Sequence, residues 1–274
     1  MPELPEVETV KRTLKERLPG LTICGVDIYL PKIIQTPSPE EFCRQVVDKK
    51  ILDVGRRGKY LLISLSQGLM LVVHLRMTGQ LVYTVTDEPR SKHTHLVFHL
   101  NNGHQLRFTD MRQFGRFWLV PERDLQAVSG LKDLGVEPLS REFTIEFLEK
   151  ELKARRTRLK TLLLDQTFIS GLGNIYVDEA LHRAGLHPSR PANTLTPGEV
   201  EALFQAIRAV LEEGIASRGT SVRDYVDGTG QAGTFQEKLR VYGKSGRPCM
   251  RCGKTIERLR LGGRSAYFCP GCQK

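Results

Sequence analysis

Between Val7 and Leu18 the apolar residues Val7, Val10, Leu14 and Leu18 recur every three or four positions. That spacing predicts one amphipathic helix, closed by Pro19-Gly20. Pro2 and Pro5 lie ahead of it, so no ordinary helix is expected before Pro5. From residue 21 to residue 120 the chain reads as β-rich. Strands are predicted at Thr22–Leu30, Ile51–Val54, Tyr60–Ser66, Leu69–Leu75, Gln80–Val85, His95–Leu100, His104–Thr109 and Phe117–Val120. Asn101-Asn102-Gly103 and Ser66-Gln67-Gly68 read as hairpin turns. Glu40–Val47 reads as a short helix inserted between strands. Short strands this closely spaced predict a two-sheet sandwich or flattened barrel.

Past the Gly/Pro-bearing linker Leu134–Ser140 the period becomes helical. Helices are predicted at Phe143–Lys153, Arg158–Leu164, Ile175–Ala184 (ended by Gly185) and Glu199–Gly214. Asp165–Asn174 joins two of them as a two-part turn, with Gly171 and Gly173 permitting tight backbone and Asn174 expected to cap the following helix. Exposed N–H groups at such a helix start suit a phosphate. Residues 217–237 are rich in Gly, Ser, Thr and Asp without periodicity, and loops of that length serve as lids or binding loops. The fold class expected from all this is α+β.

Cysteine spacing adds a metal. Cys249-x2-Cys252-x16-Cys269-x2-Cys272 is a four-cysteine zinc pattern around a hairpin-like stretch. A closed site of four thiolates is structural, and it would rigidify a hairpin too small to fold alone. The hairpin tip, Leu261-Gly262-Gly263-Arg264-Ser265, puts a guanidinium on flexible backbone. Cys24 and Cys43 stand apart and read as reduced thiols.

Charge then points to a partner. The 274 residues carry a formal net charge of +10, yet Lys238–Lys274 alone holds ten Lys/Arg against one acid, Glu257. A near-neutral body with a basic tail points to a polyanion, nucleic acid first, although a solubilising tail gives the same count. A second basic cluster, Lys150, Lys153, Arg155, Arg156, Arg158 and Lys160, lies ahead of the two-part turn. No apolar run of about eighteen residues and no signal peptide is visible, so a soluble, cytoplasmic protein without membrane contact is expected.

Four places carry unusual residues. Met1-Pro2-Glu3-Leu4-Pro5-Glu6-Val7-Glu8 crowds three carboxylates beside the terminus. Without Met1, Pro2 would present a secondary amine, and α-amino groups have pKa values near about 8. Attack of such an amine on a sugar carbon gives an iminium, which is an electron sink. Prolines and acids at a helix start are equally explained by capping. Arg56-Arg57-Gly58-Lys59-Tyr60 places Lys59 at a strand mouth, where it could meet an anion. His74–Gly79 and Asp110–Gly115 put Met77, Arg112 and Phe114 on loops. Such apolar wedges and a guanidinium are what open a base step in DNA, while ordinary packing accounts for each one singly. His93, His95 and His99 are read as a phosphate or backbone contact and two half-buried strand residues rather than as metal ligands.

These motifs, in this order along the whole chain, resemble the bacterial formamidopyrimidine-DNA glycosylase family. The likeness is carried by Pro2–Thr9, Arg57–Leu61, His74–Gly79, Asp110–Gly115, Gly171–Glu179 and Cys249–Cys272. It implies an N-terminal catalytic β-sandwich with its terminal helix (residues 1–132), a helix–two-turn–helix DNA-binding domain (133–222) and a lesion loop with a zinc finger (223–274). It also implies a monomer acting on damaged double-stranded DNA, removing oxidised purines and cutting the strand by β,δ-elimination. By the same likeness Pro2 is the nucleophile, Glu3 the acid/base, and Glu6 supports the terminus. Lys59 and Arg264 act on phosphates in elimination, and Asn174 holds the backbone. His74, His93, Arg155 and Tyr242 fall at DNA contacts. Met77, Arg112 and Phe114 fill the gap left by the everted base, Arg112 facing the orphaned cytosine. Met111 and Gln113 depart from the proline and basic residue the family often has there. Two rivals stay open: the endonuclease VIII type, with the same fold and a preference for oxidised pyrimidines, and a catalytically silent zinc-containing DNA-binding protein.

Overall fold

The alternating segments form strands close to where the pattern puts them. In the computed structural model, which describes residues 1–221 and 224–274, the first part of the chain runs α1 (Leu4–Lys15), β1 (Ile23–Ile28), β2 (Ile34–Thr36), α2 (Pro39–Val46), β3 (Ile51–Arg57), β4 (Tyr60–Leu65), β5 (Leu69–His74), β6 (Gly79–Val85), β7 (Thr94–Leu100), β8 (His104–Asp110) and β9 (Arg116–Pro121). Two sheets result, in orders β1-β7-β8-β6 and β2-β9-β5-β4-β3. All pairs are antiparallel except β2 with β9. Both sheets feed one core, in which Phe98 and Phe108 of the first meet Leu61, Val73 and Phe117 of the second. Phe108 and Phe117 touch edge to face at 4.8 Å.

Helix α1 seals this core with Val7, Val10 and Leu14, each no more than 1% exposed. It starts earlier than the prolines suggest. Glu3 caps it, and Pro5 sits in the first turn, where a missing N–H removes no helix bond. β2 escaped the sequence pattern because three residues show no period.

The remainder runs α3 (Ile145–Lys153), α4 (Leu159–Leu163), α5 (Asn174–Ala184), α6 (Pro197–Ala216), β10 (Glu257–Leu261) and β11 (Arg264–Phe268). By packing, the chain forms two units: Met1–Lys132 with Ser217–Thr234, and Asp133–Ala216 with Phe235–Lys274. The long loop therefore groups with the sandwich and the hairpin with the helices. The boundary expected between residues 222 and 223 lies outside the described residues. In the α4–α5 turn, Gln166 bonds three backbone groups: its amide nitrogen donates to the carbonyls of Leu164 (3.0 Å) and Leu172 (2.8 Å), and its oxygen accepts from Gly171 N (3.0 Å). No helix among the described residues is long and apolar enough to cross a membrane.

Candidate active site and nucleic-acid surface

In the first unit the Pro-Glu terminus is fixed rather than dangling. Pro2 is buried, and Glu3 and Glu6 are 3% and 1% exposed. The Glu3 carboxylate accepts the N–H of Glu6, and Glu6 Oε2 accepts the N–H of Glu3 at 2.8 Å. The other Glu6 oxygen, Oε1, accepts Thr220 N–H at 2.7 Å. One carboxylate thus ties the peptide group next to Pro2 to the long loop. Tyr225 donates its hydroxyl to the Glu6 carbonyl at 3.2 Å, and burial pushes its phenol above the ordinary range, so it stays a donor.

Lys59 follows Gly58 in the two-residue turn between β3 and β4 and is only 6% exposed. Arg56 braces that turn against the terminal helix: its Nε donates to Glu8 Oε2 at 3.0 Å and its guanidinium to Gly58 O at 2.9 Å. Burial raises the Glu8 pKa, but bonds from Lys11, Arg56 and Arg12 outweigh it and hold the carboxyl below its usual range. The chain therefore places Pro2, Glu3, Glu6 and Lys59 on a single braced framework of α1 and the β3–β4 turn.

His74 faces inward. Its side chain is buried, edge-on to Tyr60 at 4.6 Å, and its Nδ1 accepts Arg76 N–H at 3.0 Å. Burial, with the charges of Arg76 and Lys59, drops its pKa to about 3. An unfolded histidine titrates near about 6.5, so below that pH the unfolded chain takes up a proton that the folded one refuses. The stability contribution is full above pH about 6.5 and lost as pH falls toward about 3. Urea unfolding at pH 7 and 4.5 should show this loss in the first unit, and His74→Phe should flatten it. An equal slope in the variant would contradict the assignment.

Arg112 and Phe114 are exposed and Met77 is partly so. The Arg112 guanidinium lies 4.8 Å from the Phe114 ring centroid. His93 is half-buried; His95, expected to be half-buried, is fully so, because its Nε2 bonds Asp110 O at 2.8 Å inside the sheet. His99 pairs with Asp27 at 2.8 Å.

In the second unit, Asn174 does not cap α5. Gly173 holds that position in extended backbone, and Asn174 is the first helical residue. Its side-chain Oδ1 is buried without a hydrogen-bond partner. Arg155 is engaged with Glu151 and lies 5.1 Å from the Phe168 ring. Lys160, which sequence alone groups with surface cations, is 0% exposed. It is paired with Asp178 at 2.6 Å and donates to Ser265 O at 2.6 Å. Asp178 also accepts Tyr267 N–H at 3.1 Å. Burial pushes its carboxyl up to about 7 against the pull of Lys160. The next residue, Glu179, accepts the N–H groups of Arg240, Val241 and Tyr242 at 2.8, 3.0 and 2.8 Å. Helix α5 therefore holds both strand β11, beside the exposed Arg264, and the segment leading into the hairpin. Tyr242 packs edge-on against Tyr267 at 5.3 Å. Sequence reading gave no role to Asp178, Glu179 or Lys160; a carboxylate pair inside an otherwise apolar helix face was the available sign.

The four cysteine sulfurs Cys249, Cys252, Cys269 and Cys272 lie within 4.8 Å of one another. Tetrahedral zinc with Zn–S near about 2.3 Å spaces its sulfurs by about 3.8 Å. Separations of 3.8 Å (Cys249–Cys272) and 3.3 Å (Cys252–Cys269) fit one structural Zn²⁺ with no open position. His182 Nε2 sits 3.6 Å from the Cys249 sulfur, a supporting contact to a thiolate.

A sandwich that buries a Pro-Glu terminus, a helix–two-turn–helix unit and a four-cysteine zinc hairpin follow one another along the chain, which is the class of a zinc-hairpin protein built for a nucleic acid. Family models match in the same order: the formamidopyrimidine-DNA glycosylase N-terminal domain over residues 1–117, the H2TH domain of that enzyme over 134–226, and a zinc finger found in FPG and IleRS over 246–274. A formamidopyrimidine-DNA glycosylase of Pelotomaculum thermopropionicum is 62% identical over 100% of this chain and 99% of its own, and one of Desulforamulus reducens is 54% identical over 100% and 99%. Among solved structures, a complex of a Lactococcus lactis FPG mutant with a Fapy-dG containing DNA superposes with a TM-score of 0.93 at 36% identity over 100% of both chains. A complex of Lactococcus lactis Fpg with abasic-site DNA gives 0.93 at 37% over 99% of both. The chain belongs to the formamidopyrimidine-DNA glycosylase family.

Proposed function

We propose that this chain removes oxidised purines, 8-oxoguanine and formamidopyrimidines, from duplex DNA and then cuts the strand at the abasic site. The observation that carries the reading is the anchoring of the terminus: Glu6 holds the peptide N–H next to a buried Pro2. With Met1 removed, the Pro2 nitrogen attacks C1′ of the damaged nucleotide and forms a bond there. The C1′–base bond breaks, and the base leaves with that electron pair and a proton. Glu3 opens the sugar ring by moving a proton to its oxygen, giving an iminium. Loss of a C2′ proton then expels the 3′ phosphate, and loss of a C4′ proton expels the 5′ phosphate. Lys59 and Arg264 stabilise the departing phosphates. Water then adds at C1′ and breaks the C1′–Pro2 bond, freeing the amine and releasing the sugar remnant as an unsaturated aldehyde; the DNA product is a one-nucleotide gap with phosphates at both ends.

Met77, Arg112 and Phe114 offset the cost of taking the base out of the stack. Asn174, His93, Arg155 and Tyr242 serve the DNA backbone, and His74 acts from beneath by holding Arg76. The relatives studied with Fapy-dG and abasic-site DNA support this substrate class.

The test is cleavage and borohydride trapping on matched duplexes. Expected is preference for 8-oxoguanine opposite cytosine with a trapped adduct. Preference for a dihydroxythymine lesion would favour the endonuclease VIII type. No adduct from a chain with an authentic Pro2 terminus would favour a silent DNA-binding protein.

A further inference from the structure

Strands β6 and β8 are neighbours, and Gly79 at the start of one is in register with Asp110 at the end of the other. The loop carrying Met77 and the loop carrying Arg112 and Phe114 therefore leave the same sheet edge side by side. At the join, Asp110 is 0% exposed. Its Oδ2 accepts the N–H groups of Phe114 and Gly115, each at 2.8 Å. Its Oδ1 accepts Arg112 N–H at 3.1 Å and the hydroxyl of Thr78. Thr78 Oγ1 in turn accepts Arg112 N–H at 3.1 Å. One buried carboxylate thus collects three backbone donors from one loop and a hydroxyl from the other.

The base of this assembly is rigid. A Cβ on Gly115 would fall 2.2 Å from Phe108 Cζ, and one on Gly79 would fall 2.3 Å from Leu75 O and 2.9 Å from Phe108 Cε2. Both loop ends therefore sit directly on a core aromatic. Gln113 (φ 58°) and Arg76 (φ 57°) hold left-handed backbone without being glycine. Such conformations persist where surrounding bonds over-determine them.

We infer that Asp110, with Thr78, is a positioning residue that locks the Met77 loop to the Arg112–Phe114 loop, so that the three side chains enter DNA as one preset wedge and Arg112 meets the orphaned base in one geometry. This rests on the wedge role proposed above. A free loop would have to be ordered at each insertion, and the Asp110 network removes that requirement before DNA arrives. Asparagine cannot replace it: its single oxygen covers one side of the hub, and its NH2 turns donors toward the N–H groups on the other.

The experiment uses duplexes with 2-aminopurine beside the lesion, whose fluorescence rises as the step is unstacked, and compares excision opposite cytosine and opposite adenine. Asp110→Asn and Thr78→Val should slow the fluorescence rise by about 10-fold and pull the cytosine-to-adenine excision ratio toward one, while Thr78→Ser keeps both near wild type. Folding is checked by near-UV circular dichroism; if Asp110→Asn unfolds, the Thr78 pair carries the test. Wild-type insertion rates and discrimination in Thr78→Val, or no fluorescence rise even in the wild type, would overturn the inference. Borohydride trapping of the wild type on an abasic duplex separates the two readings. Without a trapped adduct the proposed chemistry fails, while a variant-sensitive fluorescence rise still upholds the wedge.

Discussion

A chain that keeps any residue on the Pro2 nitrogen should bind damaged duplex and leave it uncut. In the peptide Met1-Pro2 that nitrogen is a tertiary amide, with no lone pair available for attack. Excision should fall on the order of 10³-fold or more, the scale on which loss of a nucleophile acts, with binding changed by less than about threefold. Pro2→Gly should lower excision more than binding too, because a primary amine replaces the secondary one and the ring that fixes the nitrogen's orientation is lost. Gel-shift affinity and single-turnover excision on the same duplex give both numbers. Unchanged trapping with an N-terminal tag in place would refute the terminal-amine chemistry.

Replacing Lys160 by methionine should be the most damaging single change in the second unit. The pair with Asp178 is almost wholly buried, at 0% and 1% side-chain exposure. Removing one partner leaves a buried carboxyl and the Ser265 carbonyl uncompensated, at a cost of about 3–5 kcal/mol. Strand β11 loses its bond to α4 at Ser265, and the Asp178 carboxyl that accepts Tyr267 N–H loses its counter-ion, so the exchange of the Tyr267 amide should speed up along with the drop in the calorimetric transition of this unit. Removing both charges in Lys160→Met/Asp178→Leu should cost less than the single change, since no buried charge is left alone. A single variant as stable as wild type would show that the pair contributes nothing to the hairpin's attachment.

Much of this architecture was legible because its signals are local. Alternation placed the strands it predicted within a residue or two, except that β3 runs three residues past the expected Val54 to Arg57, where the arginines hide the period; Gly103 (φ 79°) marked the β7–β8 turn, and Gly185 (φ 74°) marked the end of α5. The spacing of the four tail cysteines gave the zinc site outright. What stayed hidden depends on residues far apart in the chain. Glu6 meets Thr220 across 214 positions, Lys160 meets Ser265 across 105, and Thr78 meets Asp110 across 32. No periodicity reports such pairs. Asn174 was misread for a different reason: capping chemistry favours Asn at the cap, but extended Gly173 already fills that position. Lys160 groups in sequence with the basic run of Arg155, Arg156 and Arg158; the fold leaves Arg156 and Arg158 exposed and turns Lys160 inward.

The central claim is that the terminal amine forms the covalent bond. Borohydride trapping on an 8-oxoguanine duplex, followed by nuclease digestion, proteolysis and mass spectrometry, locates the adduct. The predicted result is a sugar remnant on the peptide that begins at Pro2, on its nitrogen. A remnant on Lys59, or on any peptide that does not begin at Pro2, would contradict it.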